Sequence, residues 1–204
     1  LPEYSYIVSE QASFMDLAII FKSDLFEFVR QYEPFSDNDY NFAGRPPLQA
    51  DLLIKTENGL IPLSIINIHM KCCDSGLQRR KNAVAMLHDY VDATFESQSN
   101  IILLGDWNDD TKDEPGQHSF DTFFNDDRFH FVTEKISYDM SQASYPKEPW
   151  VSFLDHILVS NKLVEPGSNY HVQTIKMGDY MGGYENYDTY ISDHLPVLLS
   201  FPNP

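Results

Sequence analysis

Four short segments carry acids, amides and imidazoles to the ends of apolar runs. Ile101-Ile102-Leu103-Leu104 gives way to Gly105-Asp106-Trp107-Asn108-Asp109. Side chains alternate along an extended chain, so Asp106 and Asn108 are expected on one side of the strand mouth. Two oxygen-bearing groups there suit a hard cation, a polarised water or a phosphoryl oxygen. An Asx-rich turn capping the strand accounts for the pentapeptide equally well. A calcium loop does not: Thr111 stands where its glycine is needed and Gln117 where its bidentate glutamate belongs, and a strand precedes instead of a helix.

Ser192-Asp193-His194-Leu195-Pro196 again sets an acid beside an imidazole ahead of an apolar run. Extended geometry sends Asp193 and His194 to opposite sides, where Asp193 can bind a metal and His194 can move a proton near neutrality. In Phe153-Leu154-Asp155-His156-Ile157-Leu158-Val159 the carboxylate of Asp155 sits in an apolar strand and needs a partner, either a catalytic histidine that it orients or a structural group. His156 faces the other way and reads as structural. Asn67-Ile68-His69-Met70-Lys71 brings His69 to a further strand end, suited to a phosphate oxygen if the strands are neighbours. Lys71, Arg79, Arg80 and Lys81 read either as the cationic lining of a phosphate pocket or as a solvated helix start.

These segments need a scaffold of strands. Asp16 to Phe21, Gln49 to Ile54, Leu60 to Ile68, Ile101 to Leu104, Phe153 to Val159 and Pro196 to Phe201 are short apolar runs bounded by turn residues, and read as strands. Between Leu77 and Phe95, Val84, Leu87, Val91 and Phe95 recur at helical spacing, with Arg79, Arg80, Lys81 and Asp89 on a solvated face. That helix joins two strands, a step typical of α/β layering. Asp109 to Gln117 and Gly178 to Tyr190 read as polar loops.

With 204 residues and 42% hydrophobic content, the chain fits one domain over 1–204. The net charge of −17 disfavours nucleic acid as a partner, because binding phosphates by charge alone requires clustered Lys and Arg; divalent cations are better matched. The adjacent Cys72 and Cys73 lie in no zinc spacing and are expected as free thiols, since a disulfide between neighbours is strained. No apolar run is long enough for a membrane span, no signal peptide is visible, and the absence of an initiator Met hints at a natural chain that begins further upstream.

Taken in order, NIHMK, LLGDWND, FLDHILVS and SDHLPV resemble the motifs of the endonuclease/exonuclease/phosphatase (DNase I-like) superfamily. The resemblance spans roughly Asp16 to Phe201, with Arg45-Pro46-Pro47 as a further similar segment. It implies a four-layer α/β sandwich of two mixed β-sheets flanked by helices, and Mg2+-dependent hydrolysis of a phosphoester substrate by an activated water, with Mn2+ or Ca2+ as alternatives to Mg2+. By motif, Asp106 would orient or deprotonate the water, and Asn108 would position it. His69 would stabilise phosphoryl charge, Asp193 would hold the metal, and His194, held by Asp155, would act as acid or base. Lys71 and Arg79 are the candidate substrate-binding residues. Members of the superfamily also begin with an Asn-bearing strand and a second strand ending in Gln-Glu, which supplies a metal ligand. This sequence has neither, so the expectation is a domain partial at its N-terminus; the alternative is a catalytically inactive sandwich used for binding.

Overall fold

The apolar runs become strands that bury one or both faces. In the computed structural model, which describes residues 2–96, 99–165 and 169–201, the strands are β1 (Tyr4–Val8), β2 (Ala18–Lys22), β3 (Phe26–Tyr32), β4 (Leu48–Thr56), β5 (Gly59–His69), β6 (Ile101–Asp106), β7 (Phe129–Phe131), β8 (Asp155–Ser160), β9 (His171–Thr174) and β10 (Val197–Ser200). Six of them form one mixed sheet in the order β3-β4-β5-β6-β8-β7. Only β5 and β6 run parallel within it, joined by the helix α1 (Leu77–Thr94).

Alternation in β5 and β6 fixes which face meets the helix. Ile66, Ile68, Ile101 and Leu103 cluster with Ala83, Val84, Leu87 and Val91 of α1, all buried. Each buried Val, Leu or Ile contributes about 1.5–3 kcal/mol by removal from water, so this contact anchors the two central strands. Trp107, just past β6, completes the same core among Phe120, Phe123 and Phe131.

The opposite face is covered in two pieces. The β1–β2 hairpin sets Ile7, Ile19 and Phe21 on Leu48, Ala50 and Leu52 of β4, while the antiparallel β9–β10 pair brings Val172, Val197 and Leu199 to Ile157 and Val159 of β8. Among the described residues the two strand pairs form separate sheets. Between them Ile65, Asn67, Ile102 and Leu104 are half-buried. The α/β sandwich is therefore present, with its second layer built from separate antiparallel strand pairs and α1 as the long helix among the described residues.

Two expectations about surface segments are corrected. Arg80 does not lie on a solvated face: it is 4% exposed, and Asp109, Asp110 and Thr111 are buried with it, so the segment after β6 begins in the interior. The reason is a buried ion pair, Arg80 Nε to Asp109 Oδ2 at 3.1 Å, that ties α1 to this segment. The stretch before β10 is not loop throughout, since Tyr184–Tyr190 forms a helix around the buried Tyr187.

Gly105 is required where β6 approaches β5. Its φ is +133°, and a Cβ built there would lie 2.1 Å from the carbonyl oxygen of Ile68. Gly105→Ala is expected to cost roughly 1–3 kcal/mol in backbone conformation alone, with the clash added. A urea denaturation midpoint equal to that of the parent protein would contradict this account of the β5–β6 contact.

Candidate active site

Strand register sets three of the four motifs side by side. In the parallel β5–β6 pair His69 is opposite Asp106, and in the antiparallel β6–β8 pair Asp106 is opposite Asp155. The last residues of β5 and β6 thus meet the first residue of β8. The fourth motif arrives from outside the sheet. Tyr184 Oη donates to the carbonyl of Asp193 (2.7 Å) and Tyr187 Oη to that of His194 (3.1 Å). The Leu195 amide donates to the Ser144 carbonyl (2.7 Å), while Ser144 Oγ accepts from the Leu154 and Asp155 amides. Ser144 therefore tacks the His194 segment to the start of β8.

The result is a chain of contacts across the strand ends. His194 Nδ1 lies 2.7 Å from Asp155 Oδ2, His194 Nε2 is 4.0 Å from Asp106 Oδ2, and His69 Nε2 is 3.3 Å from that same oxygen. Asn108 reaches Asp106 by a route other than strand alternation. Its φ of +52° folds the chain back, so that its amide donates to Asp106 Oδ1 (2.8 Å) and its Nδ2 to Asp106 Oδ2 (2.9 Å) and the Met70 carbonyl (3.1 Å).

Arg45 belongs to the site although its chemistry was not singled out from sequence. It is 5% exposed, its Nη1 lies 3.3 and 3.2 Å from the two ring nitrogens of His69, and its Nη2 donates to the Met70 carbonyl at 2.9 Å. The signal available was a charged residue immediately before Pro46-Pro47 at the start of a buried strand.

These neighbours set proton content. Burial, reinforced by the Arg45 and His194 charges, pulls the His69 imidazole down to about 4, so it is neutral at physiological pH. Burial and the Asp155 charge push Asp106 up to about 7 against the opposing pull of His194. Burial would lower His194, but the Asp155 hydrogen bond and the surrounding carboxylates outweigh it and raise the imidazolium to about 9. His156, by contrast, is fully buried, lies 3.0 Å from Thr133 Oγ1 and 3.1 Å from backbone carbonyls, and is structural, as expected.

All of these groups except His156 open on a cavity of about 1660 Å³, whose wall also includes Lys71, Arg79 and Asp193. Arg79 is partly engaged, stacked over the Tyr40 ring at 4.2 Å. Asp193 is exposed on this wall. Asp106, Asp155 and His194 each offer a ligand atom within 4.8 Å of the others, a group that could hold a cation. Two carboxylates facing each other, one with a raised pKa because of its burial and the other's charge, fit a divalent cation by donor chemistry.

No protein-family model and no curated protein matches the sequence. Solved structures do. D. rerio TDP2 complexed with a single-strand DNA product aligns over 99% of this chain and 78% of its own, with a TM-score of 0.70 and 17% identity. The mannosyl-6-phosphatase Bt3783 of Bacteroides thetaiotaomicron VPI-5482 aligns over 98% and 78%, at TM-score 0.58 and 19% identity. The human nocturnin catalytic domain with a bound sulfate anion aligns over 84% and 64%, at 0.54 and 14%. The chain has the endonuclease/exonuclease/phosphatase fold. The DNase I-like sandwich that the four motifs resemble is thus the architecture that carries them.

The His194–Asp155 pair gives a pH dependence of known sign. A histidine raised from 6.5 to about 9 on folding stabilises the protein fully below pH 6.5, and that contribution is lost as pH rises through about 9. It is on the order of 3 kcal/mol, and a domain of this size loses roughly 2–4 °C in Tm per kcal/mol. The raised Asp106 acts in the same direction below about pH 7, where its ionisation disfavours the folded state. In EDTA, Tm should fall between pH 7 and 9.5, while Asp155→Asn should lower Tm at pH 7 and flatten the slope. An equal slope in parent and variant would dissociate the pair from stability.

Proposed function

We propose that this chain is the core of a phosphoric ester hydrolase that activates a water with the help of a divalent cation, Mg2+ by preference. The observation that carries the proposal is the contiguous set His69, Asp106, Asn108, Asp155 and His194 at the floor of one cavity, joined through shared oxygens of Asp106 and Asp155.

Asp106, poised near neutrality, accepts the proton of the attacking water, and Asn108 fixes the orientation of its carboxylate. His194, kept cationic by Asp155, offers a proton to the leaving oxygen or stabilises the phosphoryl charge. Neutral His69 donates a hydrogen bond to a phosphoryl oxygen, and Arg45, Lys71 and Arg79 supply positive charge on the same wall. Because His194 is engaged with its proton, the cation would be held by carboxylate oxygens, those of Asp106 and Asp155, with Asp193 as the further ligand implied by its motif. When bound it supplies Lewis-acid stabilisation of the phosphoryl oxygens.

Support for the ester class comes from neighbours of the same fold that include a DNA-product complex and a sugar phosphatase. The net charge of −17 favours a small ester, a phosphomonoester or a short phosphodiester, over tracking along a long polyanion.

Hydrolysis of a chromogenic phosphodiester and phosphomonoester should require Mg2+, vanish in EDTA, and fall by about 10²–10⁴ in Asp106→Asn and in His194→Ala. Asp193→Asn should raise the Mg2+ concentration needed for half-maximal rate. Activity that persists in EDTA, or in either of the first two variants, would sink the proposal.

A further inference from the structure

Next to the site, on the same wall of the cavity, two thiols lie in direct contact. Cys73 Sγ is 2.7 Å from Cys72 Sγ; Cys73 is exposed and Cys72 half-buried. Neighbouring cysteines do not ordinarily meet, because an extended chain sends them to opposite sides. Here they are brought together by the backbone at Cys73, whose φ of +71° and ψ of 168° lie in a region otherwise occupied almost only by glycine.

That conformation is held from below. Arg80 Nη1 donates to the carbonyls of both Lys71 (2.9 Å) and Cys73 (2.8 Å), bracketing the pair, and the Gly76 amide donates to the Cys73 carbonyl at 2.9 Å. Arg80 is itself buried and fixed by Asp109. The surroundings are electropositive, with Lys71 Nζ 3.5 Å from Cys72 Sγ. The hydrogen bond from Cys73, with Lys71 and Arg45 nearby, also shifts the Cys72 thiol downward, towards the reactive thiolate.

We propose that Cys72 and Cys73 form a redox-active dithiol that hydrogen peroxide converts into a vicinal disulfide, and that its closure slows the reaction at the adjoining site. The second half of the proposal rests on the hydrolase reading; the first does not. The Cys72 thiolate attacks one peroxide oxygen, forming an S–O bond as the O–O bond breaks, and the departing oxygen leaves as water after protonation. The Cys73 sulfur then attacks the sulfenic sulfur, the S–S bond forms as S–O breaks, and the hydroxyl departs with the Cys73 proton as a second water. The two sulfurs lose two electrons in total, and the peroxide gains them. A disulfide between neighbours is strained and so readily reduced by another thiol, which suits a reversible mark better than a structural bridge.

The consequence for the site follows from the backbone. The carbonyl of Cys73 and that of Lys71 share Arg80, while the next carbonyl along, Met70, binds both Arg45 and Asn108. Closing the ring turns the Cys72–Cys73 peptide and shifts the supports of His69 and Asn108 together.

The test uses the full chain at one equivalent of hydrogen peroxide, followed by N-ethylmaleimide and intact mass measurement, with the Mg2+-dependent rate followed in parallel. The expected result is a monomer lighter by two hydrogens that takes up no maleimide, a rate several-fold lower, and recovery of both on adding dithiothreitol. In Cys73→Ser the rate should withstand the same treatment. Two alkylatable thiols after peroxide, added oxygen that dithiothreitol does not remove, or a disulfide-linked dimer would overturn the dithiol. A disulfide with an unchanged rate would overturn its coupling to the site. Failure of hydrolysis in the reduced protein would count against the hydrolase reading, and with it the coupling, while leaving the mass measurement to decide the dithiol.

Discussion

The edge-to-edge register of β5, β6 and β8 is the constraint on which the rest of the molecule depends. One parallel and one antiparallel ladder align His69, Asp106 and Asp155 across three adjacent strands. A shift of one residue in either ladder would send the corresponding side chain to the opposite face. The register is secured on one side by α1 and the aromatic cluster around Trp107, and by the close approach at Gly105 that only a residue without a side chain permits. The core and the site are therefore specified by the same alternation: Ile66, Ile68, Ile101 and Leu103 go inward, and the strand ends carry the polar groups.

Alignment creates an electrostatic problem that the site resolves with protons. Burial, and after it the charge of the neighbouring Asp155, push the Asp106 carboxyl up. A cationic His194 bound to Asp155 offsets part of the excess, and a divalent cation would offset more. His69 does not share this role. Burial, with Arg45 against its ring, keeps it neutral, so the two histidines flanking Asp106 differ in charge although both are within 4.0 Å of the same oxygen. A neutral donor on one side and a proton-bearing group on the other is the asymmetry that acid–base chemistry at a phosphoryl centre needs.

The parts of this arrangement that were legible in the sequence are those that announce themselves by period or by motif. Six apolar runs and the Val84, Leu87, Val91 spacing gave six strands and α1, because each buries a face against the core. β1 and β3 were not legible as strands: Tyr4 and Tyr6 point outward from the β1–β2 hairpin, and β3 exposes Phe28 and Val29, so neither shows a polar-out alternation. β7 and β9 are too short to show a period. The burial of Arg80 was hidden for a different reason. Nothing local distinguishes it from Arg79; only the distant Asp109 and the carbonyls of the loop before α1 make its charge tolerable inside. Arg45 was hidden likewise, since its partner His69 lies at the distant end of β5.

Those two arginines explain why the segment from His69 to Cys73 behaves as a unit. Its consecutive peptide groups have left the sheet, so their carbonyls lack ladder partners and would be costly to bury unpaired. Arg45 and Asn108 take that of Met70, and Arg80 takes those of Lys71 and Cys73. Each donor is itself fixed elsewhere, Asn108 by Asp106 and Arg80 by Asp109. Backbone polarity that the sheet leaves unsatisfied is thus what ties Asp106, the neutral His69 and the two thiols to a common support.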